Sequence, residues 1–290
     1  MNLPFSRVGI VGVGLIGGSI GLALKKASCP VEIIGIGRNE ERLRRAREIG
    51  IVDRVAGGFE GLQDCDLVIL ATPIGQIVEM LEIIADWIPP GTVLTDVGST
   101  KRTICETAWR SLPASVEFIG GHPVAGREVA GMENSLAGLF EGAPYVFCPR
   151  PGSAPQNLRR LESFAEILGA RTFVMTPEEH DRLVARVSHL PQLLSTALAN
   201  FACTHEPDIF GSGLRDMVRL AGSPYSIWEG IFRTNRDNIV LAFDEFIRHL
   251  EQMRRMLEDG RLGEEFERAG QNQRKLRVSS TTGIPGRQGQ

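Results

Sequence analysis

The chain has no cysteine pair at C-x-x-C spacing. Its five cysteines, Cys29, Cys65, Cys105, Cys148 and Cys203, are scattered and odd in number. That pattern argues against a disulfide framework and against a zinc site, so no metal is expected and the thiols are expected to stay reduced, as in the cytoplasm. An excess of positive charge is also absent. With 32 Lys and Arg against 35 Asp and Glu, the formal net charge is -3, so no global field recruits nucleic acid or an anionic membrane, and a small molecule is the expected partner. No apolar run reaches the length of a membrane span, and Met1 to Arg7 has no basic flank leading into a long apolar region. Neither export nor membrane anchoring is expected.

What is present is the composition of a globular protein able to bury cores, 42% hydrophobic and 23% charged, over a length of 290 residues that suits two domains. From Arg7 to about Val174, the β-branched runs VGIVGV, VEIIGI, LVILA, TVLTDV, EFIGG, YVFCP and RTFVM alternate with helical stretches. Several runs are apolar throughout, as strands of a parallel sheet covered on both faces must be. Helices are expected over Glu40–Ile49, Gly75–Ile88 and Lys101–Ser111. After Pro177 the pattern turns helical without a convincing strand, over His180–His205, Leu214–Ala221 and Ser226–Leu257. The expected division is therefore an α/β domain over 1–174, an all-α domain over 175–278, and a mobile Ser/Thr/Gly/Pro-rich tail over 279–290.

Gly12-Val13-Gly14-Leu15-Ile16-Gly17 follows the first of these runs and opens a helix over Ser19–Lys26. This is the context in which G-x-G-x-x-G binds a dinucleotide, and it makes the first domain Rossmann-type. Gly12 permits the tight turn, Gly14 lets backbone approach a pyrophosphate, and Gly17 lets helix and strand close together. The helix start, at Leu15 and Ile16, offers free N–H groups and a positive dipole end to the phosphates. A flavin dinucleotide would suit the turn as well. The second strand ends Gly37-Arg38-Asn39, with no acid to read a ribose 2′-hydroxyl. Arg38 can pair with a 2′-phosphate or lie on the adenine ring, so both NAD+ and NADP+ are compatible with it.

Three further motifs fall just past the carboxyl ends of strands, where open α/β sheets bind ligands. They are Ala71-Thr72-Pro73, Asp96-Val97-Gly98-Ser99-Thr100-Lys101, and Gly120-Gly121-His122-Pro123-Val124-Ala125-Gly126. The helical half adds Ser188-His189-Leu190-Pro191-Gln192, Arg215-Asp216-x-x-Arg219 and Trp228. Together these motifs resemble the prephenate dehydrogenase family, with its arogenate-using and cyclohexadienyl relatives, and the resemblance runs from about Arg7 to Val278.

The resemblance implies hydride transfer from the hydroxyl-bearing ring carbon of prephenate to NAD(P)+, loss of carbon dioxide, and formation of 4-hydroxyphenylpyruvate. His122 matches the acceptor of the hydroxyl proton, and Ser99 matches the serine that orients it and touches the nicotinamide side. Ser99 is also placed to cap the helix that follows. Thr72 and Pro73 belong to the cofactor side. Arg219 matches the arginine that grips the ring carboxylate, with Arg215, Asp216, His189 and Trp228 on the substrate side. Arg215 stands where the family commonly has Lys. Glu128 matches an acid that gates the pocket, beside Arg127 in place of a small hydroxyl residue. Gln192 replaces a second histidine found in many relatives. A neutral amide suits a keto acid, and nothing acidic there greets the ammonium of arogenate, which favours prephenate. The helical half is expected to form a homodimer, as in relatives whose helical domains exchange contacts.

A β-hydroxyacid dehydrogenase would share the two-domain plan, but such enzymes rely on a lysine from the helical domain, and His180–Leu257 contains none. A dinucleotide-binding sensor without catalysis would account for Gly12 to Gly17 but not for His122, Ser99 and Arg219 together.

Overall fold

The computed structural model describes residues 3–127, 129, 131–205 and 209–281. Strand β1 (Arg7–Val11) leads into helix α1 (Leu15–Lys26), β2 (Glu32–Ile36) into α2 (Glu40–Glu48), and a short strand β3 (Arg54–Ala56) follows. β4 (Leu67–Leu70), α3 (Ile74–Leu81), β5 (Val93–Asp96), α4 (Arg102–Ser111) and β6 (Glu117–Pro123) continue the alternation. β7 (Pro144–Pro149), α5 (Pro155–Ile167) and β8 (Arg171–Val174) complete it. The eight strands among the described residues join one sheet, in the order β3-β2-β1-β4-β5-β6-β7-β8.

The apolar runs are explained by helices on both faces. Ile20 and Leu24 of α1 and Leu161 and Phe164 of α5 pack with Val8, Ile10, Leu67 and Ile69 on one side. Ile77 and Leu81 of α3 and Ile104 and Ala108 of α4 pack with Val11, Val68, Leu70 and Leu94 on the other. Burying each large aliphatic side chain stabilises the fold by about 1.5–3 kcal/mol, so the central strands are held from above and below rather than by propensity.

Two features of the sheet differ from the sequence reading. β3 was not legible, being three residues long with an exposed Arg54, paired only to β2. The sheet is also not wholly parallel, because β7 runs antiparallel to β6. A parallel return needs a crossover element, and between these two strands the chain forms only a 3-10 turn at Met132–Asn134 among the described residues. α5 then supplies a crossover, and β8 pairs parallel to β7.

The remaining described residues are mainly helical: α6 (Pro177–Val184), a π-turn at Ala185–His189, α7 (Leu190–Ala202), α8 (Ser212–Val218), a 3-10 turn at Arg219–Gly222, α9 (Tyr225–Thr234), α10 (Arg236–Glu258) and α11 (Gly263–Thr281). The helix expected over Ser226–Leu257 is broken at Asn235, whose fully buried side chain bonds across to other elements. Such side chains compete with the helical ladder. α11 went unread, and it carries helix to Thr281, past the start of the expected tail at Ser279. Residues 282–290 lie outside the described residues.

By compactness the chain divides into Met1–Ile239, which holds the whole sheet and α1 to α9, and Val240–Gln290, whose described residues include the rest of α10 and α11. No helix among the described residues is long and apolar enough to cross a membrane.

Candidate active site

The ends of β1, β4, β5 and β6 lie side by side in the sheet, so the motifs that follow them form one row. At the end of β1, Gly12 has φ +97, a conformation only glycine adopts readily. A Cβ there would meet Thr72 Cγ2 at 2.7 Å and the Ala71 carbonyl oxygen at 2.9 Å. A Cβ on Gly17 would strike the Gly12 carbonyl oxygen, whereas one on Gly14 would meet nothing within 4 Å. Gly14 is the N-cap of α1 and no side chain caps it. Two close-packed glycines thus flank an open one at an uncapped helix start, which fits a dinucleotide pyrophosphate. Beside it, Thr72 Oγ1 is buried without a hydrogen-bond partner, and Pro73 is the N-cap of α3. Arg38 is exposed just past β2, next to Asn39, whose side chain caps α2 at 2.9 Å.

The D-x-G-S-x-K motif is built around a fully buried ion pair between Asp96 and Lys101. Asp96 Oδ2 also accepts from the Gly98 amide at 2.7 Å, and Oδ1 accepts from the Gly121 amide at 3.0 Å. One carboxylate thereby ties the end of β5 to the strand that carries His122. Ser99 is half-buried in the turn that follows β5. It does not take the expected capping role, because the N-cap of α4 is Lys101 and no residue of its own segment caps it. The cap comes from α6: Asp181 Oδ1 accepts from the Lys101 amide at 2.7 Å, and Oδ2 from the Arg102 amide at 3.0 Å. Four orphan amides at a helix start favour a carboxylate over a hydroxyl.

His122 is buried near the end of β6, and its Nδ1 lies 2.8 Å from Nε2 of His180. Nδ1 of His180 lies 2.8 Å from Asp181 Oδ1. Burial, then the neighbouring His180, Lys101 and His189, hold the His122 pKa well below its ordinary value of 6.5. Burial likewise depresses His180 despite the adjoining Asp181 carboxylate. Both rings are therefore neutral near pH 7. Neither His180 nor Asp181 carries a sequence mark of this role, because an ordinary amphipathic helix does not distinguish them. The adjacent His-Asp pair was the one available signal.

On the helical side, Pro191 lacks an amide hydrogen to return to the preceding turn, and the helix widens there into the π-turn that carries His189. Burial pushes the His189 pKa down to about 4. Its Nδ1 lies 3.2 Å from Asn235 Nδ2, and its ring meets the Trp228 ring edge-on at 6.1 Å. Gln192 is buried, and its Nε2 donates to the Leu220 carbonyl at 2.9 Å. The Ala221 amide donates to Ser195 Oγ at 3.1 Å, so the turn that holds Arg219 is fastened to α7 at two points. Gln192 Oε1 and Trp228 Nε1 are buried without partners. His189 and Trp228 thus come together, Gln192 is held against the turn at Leu220, and Arg219 is exposed on that turn. Arg215 and Asp216 are exposed on α8, with Arg215 stacked 5.1 Å over Phe210. Glu128 lies outside the described residues.

Known proteins resemble this chain along nearly its whole length. Residues 20–174 match the family described as "Prephenate dehydrogenase, nucleotide-binding domain", and residues 176–269 match "Prephenate dehydrogenase, dimerization domain". The prephenate dehydrogenase of Bacillus subtilis (strain 168) is 34% identical over 89% of this chain and 72% of its own length. Among solved structures, prephenate dehydrogenase from A. aeolicus in complex with hydroxyphenyl propionate and NAD+ superposes with a TM-score of 0.84, at 29% identity over 94% of this chain and 98% of that one. Synechocystis arogenate dehydrogenase gives a TM-score of 0.79 at 31% identity, over 94% and 99% of the two chains. With both parts of the family matched in order over most of its length, the chain belongs to the prephenate dehydrogenase family.

Proposed function

We propose that the protein is an NAD(P)+-dependent prephenate dehydrogenase that forms 4-hydroxyphenylpyruvate and carbon dioxide in tyrosine biosynthesis. The observation that carries this reading is His122, buried and held neutral at the end of β6, in the same row of strand ends as the glycine turn. The nicotinamide, when bound, supplies the hydride acceptor. His122 takes the proton from the substrate hydroxyl as the ring C–H bond gives up its electron pair. The ring carboxylate then leaves as carbon dioxide, its bonding electrons complete the aromatic ring, and the phenolic oxygen takes the proton back. Gly12, Gly14, Leu15, Ile16 and Gly17 hold the pyrophosphate, with Thr72, Pro73 and Ser99 toward the nicotinamide. Arg219 pairs with the ring carboxylate through its planar fork of donors. Incubation with prephenate and either cofactor, followed by absorbance of the reduced nicotinamide, tests the reading. Cofactor binding without reduction would leave only a dinucleotide-binding protein.

Arg38 stands where an acid would select NAD+, so it bears on cofactor choice. Arg38→Asp sets a carboxylate against a 2′-phosphate, and close like charges cost several kcal/mol. The ratio of kcat/KM for NADP+ over NAD+ is expected to fall by about tenfold or more. An unchanged ratio would show that Arg38 does not read the ribose.

Gln192 supports a second reading. Its amide nitrogen is committed to the Leu220 carbonyl, so the unpartnered atom is the oxygen, an acceptor. An acceptor suits the ammonium of arogenate, whereas a keto acid offers it no hydrogen. The lack of an acid at this position favours prephenate, and kcat/KM measured with both substrates decides between them.

The helical part, 175–278, is read as the substrate and dimerisation domain. Exposed Phe201, Met217 and Tyr225, and separately Val240, Leu241, Leu257 and Phe266, give it apolar surface that a homodimer would cover.

A further inference from the structure

We infer that Asp181 sets the tautomers of His122 and His189 in opposite senses, making His122 a proton acceptor and His189 a donor at their free ring nitrogens. The inference rests on His122 acting as the base.

It follows from which atoms can hold a hydrogen. The Asp181 carboxylate already accepts from the Lys101 and Arg102 amides, and it can only accept. The hydrogen between it and His180 therefore sits on His180 Nδ1. His180 is neutral, so its Nε2 is bare and must accept from His122 Nδ1 at 2.8 Å. His122 in turn carries its one hydrogen on Nδ1, which leaves Nε2 with a free lone pair for the substrate hydroxyl. A neutral imidazole has one donor and one acceptor, so no other arrangement satisfies both contacts.

The main chain of the same residue does the reverse for His189. The Asp181 carbonyl accepts from Asn235 Nδ2 at 2.8 Å, and Asn235 Oδ1 accepts from Asn238 Nδ2 at 2.8 Å. These two bonds fix the orientation of the Asn235 amide. Its second N–H points to His189 Nδ1 at 3.2 Å, so His189 accepts there and bears its hydrogen on Nε2. A ring of this kind donates to an anionic or carbonyl oxygen. The other charged groups facing the cluster are Lys101 and Asp96 of the buried pair: Lys101 adds to the depression of the His122 and His180 pKa values, and Asp96 opposes it at His180. His180, Asp181 and Asn235 are positioning residues, because they act through the two histidines.

The test is the nitrogen-15 spectrum of the imidazoles in the full-length protein, labelled at histidine, near neutral pH without substrate. Resonances are assigned by their loss in single-histidine variants. The expected result is a neutral His122 protonated at Nδ1 and a neutral His189 protonated at Nε2. Finding His122 protonated at Nε2, or both rings in one tautomer, overturns the inference. Kinetics supply a second readout. His180→Phe removes the acceptor and is expected to lower kcat for prephenate by about 10- to 100-fold, part of the contribution of a general base, with KM changed less than about threefold. His180→Gln, whose amide oxygen can still accept from His122 Nδ1, is expected to recover much of that loss. Equal losses in the two variants, or none in either, would count against the relay. The spectrum needs no turnover, so it separates the two readings: correct tautomers in a protein inert toward prephenate remove only the reaction, and wrong tautomers in an active enzyme remove only this inference.

Discussion

His122→Asn should lower kcat for prephenate by about 10²- to 10⁴-fold, the usual contribution of a positioned general base, while the prephenate KM stays near its starting value. Asn keeps a polar group at the end of β6 but cannot accept the hydroxyl proton at a basic nitrogen. The pH profile carries the same prediction with a sign. His122 must be neutral to act, so activity falls as acid protonates it. In the free protein, burial holds its pKa well below 6.5, so the acid limb of kcat/KM should lie below the range of an ordinary histidine. Bound prephenate brings carboxylates that favour the charged ring, and the limb of kcat should lie at higher pH than that of kcat/KM. The Asn variant should lose both limbs together with the rate. If it kept full activity and the same acid limb, the acceptor would be elsewhere, and His189 would be the first residue to examine.

Arg219→Ala should raise the prephenate KM strongly and leave cofactor binding unchanged. Loss of one partner from a desolvated charge pair costs about 2–5 kcal/mol. Arg219 is exposed in the structure, and only the bound substrate would desolvate it, so the lower end, about 2 kcal/mol or 30-fold in KM, is the expectation. The 3-10 turn that carries it is fastened to α7 through Gln192 and Ser195, which makes the residue a fixed point rather than a mobile tether. The cofactor Kd, followed by titration in the absence of prephenate, should be the same in both proteins. A KM shift below a few-fold would mean that another group holds the ring carboxylate.

Much of this architecture is legible in the sequence because its signals are local. A β-branched run that is apolar at every position has to be a strand covered on both faces, and Gly12, Gly14 and Gly17 mark a turn whose backbone needs are specific to glycine. The strand-end motifs announce themselves as punctuation after such runs. β3 escaped because three residues at a sheet edge bury too little to leave a pattern. The antiparallel β7 escaped because strand direction depends on the connection, not on the strand. α11 escaped because its residues are largely polar, with little periodicity to read.

The chemistry divides the same way. The sequence alone determined the doubly covered α/β sheet, the glycine turn at the end of β1, and the placing of His122 and Ser99 near the ends of neighbouring strands, although β6 runs on through His122 to Pro123 where the motif was expected to follow the strand. Only the tertiary structure decided what stands behind them. Asp96 and Lys101 turn out to be a buried pair that pins β6, Asp181 rather than Ser99 meets the start of α4, and His180 links that carboxylate to His122 across a separation of 58 residues. A hydrogen bond is decided by the distance between two atoms, and no periodicity in the chain records which distant side chains folding will bring within 3 Å.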